Sequence, residues 1–196
     1  MTQVLIIYAT DYGNTKKMAE AIANGVNSID QTTAVLKEAE TVTVDDVLQS
    51  DALILGSPVH MGSPDWRIKK FIDKICSGLW MKDLLIGKVG GVFASGGGFG
   101  SGGGGNELTM LALLNNFAEL GMVIVPLPKN TPGYAQAGLQ WGPYARSAGS
   151  HMEQTGIQQN QLESSFHHGA NIARITRELK KGPHLFTQVQ PAQAAY

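Results

Sequence analysis

Residues 4–15 read Val4-Leu5-Ile6-Ile7-Tyr8-Ala9-Thr10-Asp11-Tyr12-Gly13-Asn14-Thr15, and this stretch decides the fold class. Val4 to Tyr8 is a short apolar run rich in β-branched side chains, the pattern of a strand buried on both faces. Asp11 to Thr15 are turn and helix-capping residues, after which Met18, Ala19, Ile22, Ala23 and Val26 recur at helical spacing.

Outward from this strand–turn–helix start, the same alternation continues. Thr33 to Lys37 predicts a second strand, and Ala52 to Gly56 a third that ends in Ser57 and Pro58. Trp66, Ile68, Phe71, Ile72 and Ile75 predict a helix beginning near Pro64, a residue tolerated in a first turn. Gly90 to Ala94 reads as a fourth strand, Leu108 to Leu120 as a helix, Met122 to Leu127 as a fifth strand and Leu162 to Leu179 as a closing helix. Residues 128–160 show little periodicity, and a loop of that length is usually functional. Residues 1–181 are read as one domain and residues 182–196 as a polar tail.

Five strands alternating with helices imply a parallel sheet covered on both faces, whose ligands bind beyond the carboxyl ends of the strands. The informative loops are therefore 10–15, 57–63 and 95–105. In the first, Thr10, Asn14 and Thr15 offer neutral donors, Gly13 permits a tight turn, and the following helix N-terminus favours an anion; an ordinary helix cap is the plainer alternative. In the second, Pro58 stiffens the chain and Gly62 lets the backbone approach a ligand, with His60 and Met61 beside it; a surface turn would look much the same. The third holds Ser95-Gly96-Gly97-Gly98-Phe99-Gly100 and then Ser101 before Gly102 to Gly105. So many glycines cost conformational entropy, so close approach to a planar cofactor, or a mobile lid, explains them better than a plain linker.

Composition excludes several functions. With 15 Lys and Arg against 16 Asp and Glu, the chain has no basic surplus for nucleic acid. No apolar run nears the roughly 20 residues of a membrane span, and Met1 to Tyr8 lacks the features of a signal peptide, which predicts a cytoplasmic protein. Neither a Walker phosphate loop nor a dinucleotide fingerprint follows the first strand. Cys76 falls on an apolar helix stripe and reads as a core residue. The scattered His151, His167, His168 and His184 lack ligand-spaced partners, and no metal is predicted.

Thr10 to Thr15 is similar to the phosphate loop of flavodoxins. With Ser57-Pro58 and Gly62, Gly78-Leu79-Trp80, Gly87-Lys88, Ser95 with its glycines and Glu107, Gly121-Met122-Val123-Ile124-Val125-Pro126, and Gly142-Pro143-Tyr144, the chain resembles the NAD(P)H:quinone oxidoreductases of the tryptophan-repressor-binding-protein (WrbA) family over residues 3–180. The resemblance implies an α/β, flavodoxin-like three-layer sandwich with a five-stranded parallel sheet in the order 2-1-3-4-5. It implies FMN, with Thr10, Tyr12, Gly13, Asn14 and Thr15 at the phosphate, Pro58, Val59, His60, Met61 and Gly62 flanking the ring, and Ser95, Gly96, Gly97 and Gly98 at its other edge. Trp80 matches a family tryptophan near the flavin face, and core packing explains it equally well. The implied activity is transfer of two electrons from NAD(P)H to a quinone, with His60 or Tyr144 as candidates to assist quinone protonation. The alternatives are a single-electron carrier and an FMN-binding protein with little turnover. Such reductases commonly assemble as dimers or tetramers, which points to a homo-oligomer with residues 128–160 against a neighbour. Two departures stand out: Glu119-Leu120 where the family commonly has a histidine, and Val59-His60-Met61 where a Thr-Arg-Phe-like run is usual.

Overall fold

The computed structural model describes residues 1–99 and 103–182. Gly100, Ser101 and Gly102 of the glycine run and residues 183–196 of the polar tail lie outside the described residues.

Strand β1 (Thr2–Tyr8) leads into helix α1 (Asn14–Asn27), and β2 (Thr32–Glu38) then pairs parallel with β1 along its whole length. A short 3-10 turn (Ala39–Thr41) precedes α2 (Val44–Gln49). At six residues α2 is too short to leave a periodic signal, and it is set by its capping box instead. The Thr43 hydroxyl accepts from the Asp46 N–H (3.2 Å), while the Thr43 N–H donates to the Asp46 carboxylate (2.8 Å).

Strand β3 (Ala52–His60) pairs parallel with the other side of β1 and turns back into β4 (Ser63–Pro64). The turn residues Met61 and Gly62 both have positive φ (49° and 77°), as a tight two-residue hairpin requires. The next helix runs without a break through α3 (Trp66–Phe71), a π-type turn (Ile72–Cys76) and α4 (Ser77–Trp80). Asp65 caps it by accepting from the Arg67 N–H at 2.8 Å. Strand β5 (Val89–Gly96) then lies parallel to β3 and is followed by α5 (Asn106–Glu119).

The fifth place in the sheet is shared by two pieces. β6 (Val123–Ile124) pairs with Val89 and Gly90, whereas β8 (Gly142–Arg146) pairs with Ala94 to Gly96. Between them lie α6 (Tyr134–Ala137) and β7 (Gly138–Leu139), the latter antiparallel to β8. The strand expected over Met122–Leu127 stops early because Pro126 and Pro128 have no N–H for the ladder. Gly142 allows β8 in, since a Cβ there would overlap the Val92 carbonyl. The resulting path β2-β1-β3-β5-β8-β7 keeps the expected 2-1-3-4-5 order, with the fifth strand divided and β7 added at its edge.

Helix α7 (Gln159–Leu179) closes the domain. Alternation along the strands makes two cores. Leu5, Ile7, Leu53, Leu55 and Val92 pack under α2, α3, α4 and α5, while Val4, Ile6, Ile54 and Phe93 pack under α1 and α7. Cys76 lies in the first core, where burial pushes its thiol up to about 12.

Candidate functional site

The register of the central strands brings three loops to one edge. Tyr8 is level with Gly56, Pro58 with Ser95, and Gly96 with Arg146, so the chain after each strand emerges side by side. They enclose a cleft of ≈ 260 Å³. Thr10, Tyr12, Asn14 and Thr15 line it from the first loop, Pro58, Val59 and His60 from the second, and Ser95, Gly96 and Gly97 from the third.

The α1 end of the cleft is built for an anion. Gly13 precedes the helix in a left-handed conformation (φ 78°), and no side chain caps the first turn. That turn carries no acidic residue, unlike the first turn of α2 with Asp45 and Asp46. Its N–H groups are therefore left for a ligand, and the helix dipole favours a negative one. Thr10 shapes the loop by accepting from the Gly13 N–H (3.0 Å). The buried hydroxyls of Thr15 and Ser95 hydrogen-bond at 2.8 Å and tie α1 to β5. At the other wall, a Cβ on Gly96 would come within 3.2 Å of Val59, and one on Gly97 within 2.8 Å of Met152. Uncapped donors at one end and glycine-lined walls beside them fit a phosphorylated planar molecule such as FMN.

Charged groups are concentrated at one corner. Asp65 is fully buried and His60 half-exposed, with His60 Nδ1 3.1 Å from Asp65 and His60 Nε2 3.1 Å from Asp11. Arg67 Nη2 reaches Asp11 at 2.7 Å and Asp65 at 2.6 Å, and its Nε donates to Asp65 at 2.9 Å. Burial opposes ionisation of Asp65, yet hydrogen bonds and charge from Arg67, with a smaller contribution from His60, hold its carboxyl below the usual range. The same bond to Asp65 raises Arg67 further into its charged form, against its own burial. Asp11, His60 and Asp65 lie close enough to suggest a metal site, but Arg67 already supplies the cation between the two carboxylates.

Other expected site residues lie elsewhere. Gly13 caps α1 just behind the lining, Met61 is fully exposed on the hairpin and Gly62 packs its Cα against Gly105. Gly98 lies outside the lining and accepts a hydrogen bond from Arg146 Nη2 at 2.7 Å. Tyr144 is half-buried against the core on β8, level with Ala94. Both ring nitrogens of His60 lie 3.1 Å from carboxylate oxygens, Nε2 from Asp11 and Nδ1 from Asp65. Trp80, 43% exposed, ends the helix that carries the chain back toward the amino ends of the strands. Leu120, where the family histidine is expected, is buried in the core at the end of α5 and does not line the cleft.

Sequence reasoning missed the fourth wall. Ser147, Ala148, Met152 and Gln154 line the cleft from the segment after β8, which had no readable pattern. Arg146 organises that wall, donating to the carbonyls of Ala148 (2.9 Å), Gly98 (2.7 Å) and Gly149 (3.2 Å).

Comparison with known proteins agrees with this architecture. Residues 5–95 match the flavodoxin domain family. A flavodoxin of Aquifex aeolicus is 40% identical over 124 residues, covering 63% of this chain and 64% of that protein. Proteins named NAD(P)H dehydrogenase (quinone) match nearly end to end. The one from Cupriavidus metallidurans is 30% identical over 91% of this chain and 99% of its own length, and the one from Paracoccus denitrificans 32% identical over 93% and 97%. The crystal structure of a flavodoxin, WrbA-like protein from Agrobacterium tumefaciens superposes with a TM-score of 0.70 at 27% identity, covering 91% of this chain and 99% of that one. With this fold, this cleft and relatives matched along almost their whole length, the chain belongs to the flavodoxin-like NAD(P)H dehydrogenase (quinone) family.

Proposed function

We propose that this chain is an FMN flavoprotein that carries two electrons from NAD(P)H to a quinone. The observation that carries the reading is the uncapped α1 N-terminus opening onto a cleft walled by glycine backbone. FMN, when bound, supplies the hydride chemistry; the chain binds, orients and shields it. In this reading Thr10, Asn14, Thr15 and the first-turn N–H groups hold the phosphate, and Tyr12 and Gly13 shape that loop. Pro58, Val59, Ser95, Gly96 and Gly97 flank the ring, closed by Ala148 and Met152. Exposed Tyr12 and Met152 line this mouth and offer apolar surface to a nicotinamide or a quinone.

The same reading includes assembly. Trp80 cannot reach the cleft of its own chain from the far end of α4, so a place beside a flavin requires a second copy. Met81, Leu84 and Ile86 are exposed next to it, which suits burial against a neighbour.

The test is anaerobic titration of FMN-loaded protein with NADH and NADPH, followed by benzoquinone. Bleaching of the flavin by either nucleotide, and its return with the quinone, is expected. A second reading, a single-electron carrier, is favoured by the 40% identity to a protein named flavodoxin. It replaces the first if neither nucleotide reduces the flavin while dithionite does so in two resolved one-electron steps.

A further inference from the structure

Arg146 ends β8 level with Gly96, where the chain leaves the sheet to form the fourth wall of the cleft. Its half-buried guanidinium donates to three backbone carbonyls from two loops: Gly98 at 2.7 Å, Ala148 at 2.9 Å and Gly149 at 3.2 Å. Among the described residues it pairs with no carboxylate, so the side chain serves to hold backbone. We infer that Arg146 is a positioning residue for the flavin ring, acting through the Met152 side chain that this backbone carries. This rests on the FMN reading above.

The segment after Arg146 folds back on itself. Ala148 and Gln154 form an antiparallel bridge, and the Gly149 N–H donates to the Glu153 carbonyl at 2.9 Å. The Gly149 carbonyl accepts from the Met152 N–H at 3.1 Å as well as from Arg146, which links the tip of the turn to the guanidinium. Met152 is held at φ 65°, a left-handed backbone that residues with a Cβ seldom adopt, so tertiary contacts set its place. Its thioether lies over Gly97, where an added Cβ would be 2.8 Å from Met152 Cε and 3.6 Å from Sδ. Both residues line the cleft, and Met152 is half-exposed. A polarizable thioether in this place suits the edge of an aromatic ring. The planar fork of an arginine spans several carbonyls at once, which the single ammonium of a lysine does not, so geometry matters here as well as charge.

The test measures the affinity of the apoprotein for FMN and for riboflavin, which lacks the phosphate, by quenching of flavin fluorescence. The variants are Arg146→Gln, Arg146→Lys, Met152→Ala and the double variant Arg146→Gln/Met152→Ala. Arg146→Gln is expected to weaken both flavins by the same factor, about tenfold, because this wall borders the ring and not the phosphate. Arg146→Lys is expected to leave most of that loss in place. Met152→Ala is expected to weaken both flavins about two- to tenfold. In the double variant the losses are expected to be less than multiplicative, since one residue acts through the other. The visible circular dichroism of bound FMN is expected to change alike in the two single variants, a signature that an arginine serving only stability would not move. If far-ultraviolet circular dichroism shows Arg146→Gln unfolded, Arg146→Lys and Met152→Ala decide. Unchanged FMN affinity, a loss confined to FMN, full affinity in Arg146→Lys, or losses that multiply each overturn the inference while leaving FMN binding intact. A wild-type protein that quenches no FMN overturns the FMN reading and this inference with it.

Discussion

His168 is fully buried in α7, and neither ring nitrogen has a hydrogen-bond partner. Burial pushes it down to about 4; the nearby Val92 backbone, outside hydrogen-bond geometry, offsets this only slightly. The folded protein therefore holds a neutral imidazole that the unfolded chain would protonate below its ordinary value near 6.5. Between those two values the unfolded state binds more protons, so stability rises with pH across the window and is lost as pH falls through it. Urea unfolding is expected to show a loss of roughly 3 kcal/mol by pH 4 from this group, which His168→Gln removes from the pH profile. The carboxylates of Asp46 and Asp65, both held below the usual range, lose their contributions only at lower pH. At this scale the sequence was half legible. His168 read as one of several scattered histidines, because nothing local distinguishes a buried ring from an exposed one. His60 was visible as a loop residue, but its contact with Asp65, and the Arg67 that binds Asp65 in turn, were not, since a hairpin and a helix start bring them together.

At the level of elements, α1 and α7 cross with almost no space between their backbones. A Cβ on Gly25 would overlap the Phe166 carbonyl, and one on Gly169 the Ile22 carbonyl. Gly169→Ala is expected to cost about 1–3 kcal/mol by overpacking, read as a lower melting temperature. Gly78→Ala, in α4 with nothing within 4 Å of the added carbon, is expected to be neutral or to stabilise by up to about 1 kcal/mol. Long periodic elements were readable: α1, α5 and α7 and strands β1, β3 and β5 lie within a few residues of their expected positions. Short ones were not. β8 has five residues between glycine-rich turns and becomes a strand only because β5 offers an unpaired upper half.

For the whole molecule, the proposed assembly rests on exposed apolar surface. The exposed side chains of Trp80, Met81, Leu84 and Ile86 lie together along the chain on the way back to the amino edge of the sheet, away from the cleft. Light scattering at micromolar concentration is expected to give a multiple of the 20.9 kDa chain mass, and a mass equal to one chain would overturn the shared-site reading of Trp80. Among the described residues no helix is long and apolar enough to cross a membrane.

The sequence by itself determined the layered α/β architecture and the two loops at α1 and β3, while the strand order followed only from the family resemblance. Hydrophobic period, turn residues and helix caps act over a few residues and are written locally. Only the tertiary structure decided that the fifth strand is divided, that Ser147 to Gln154 form a wall of the cleft, and that Asp11, His60, Asp65 and Arg67 share one corner. Those features depend on residues far apart in the chain, such as Asp11 and Arg67 at 56 positions, meeting at a sheet edge, and contacts of that range leave no period in the chain.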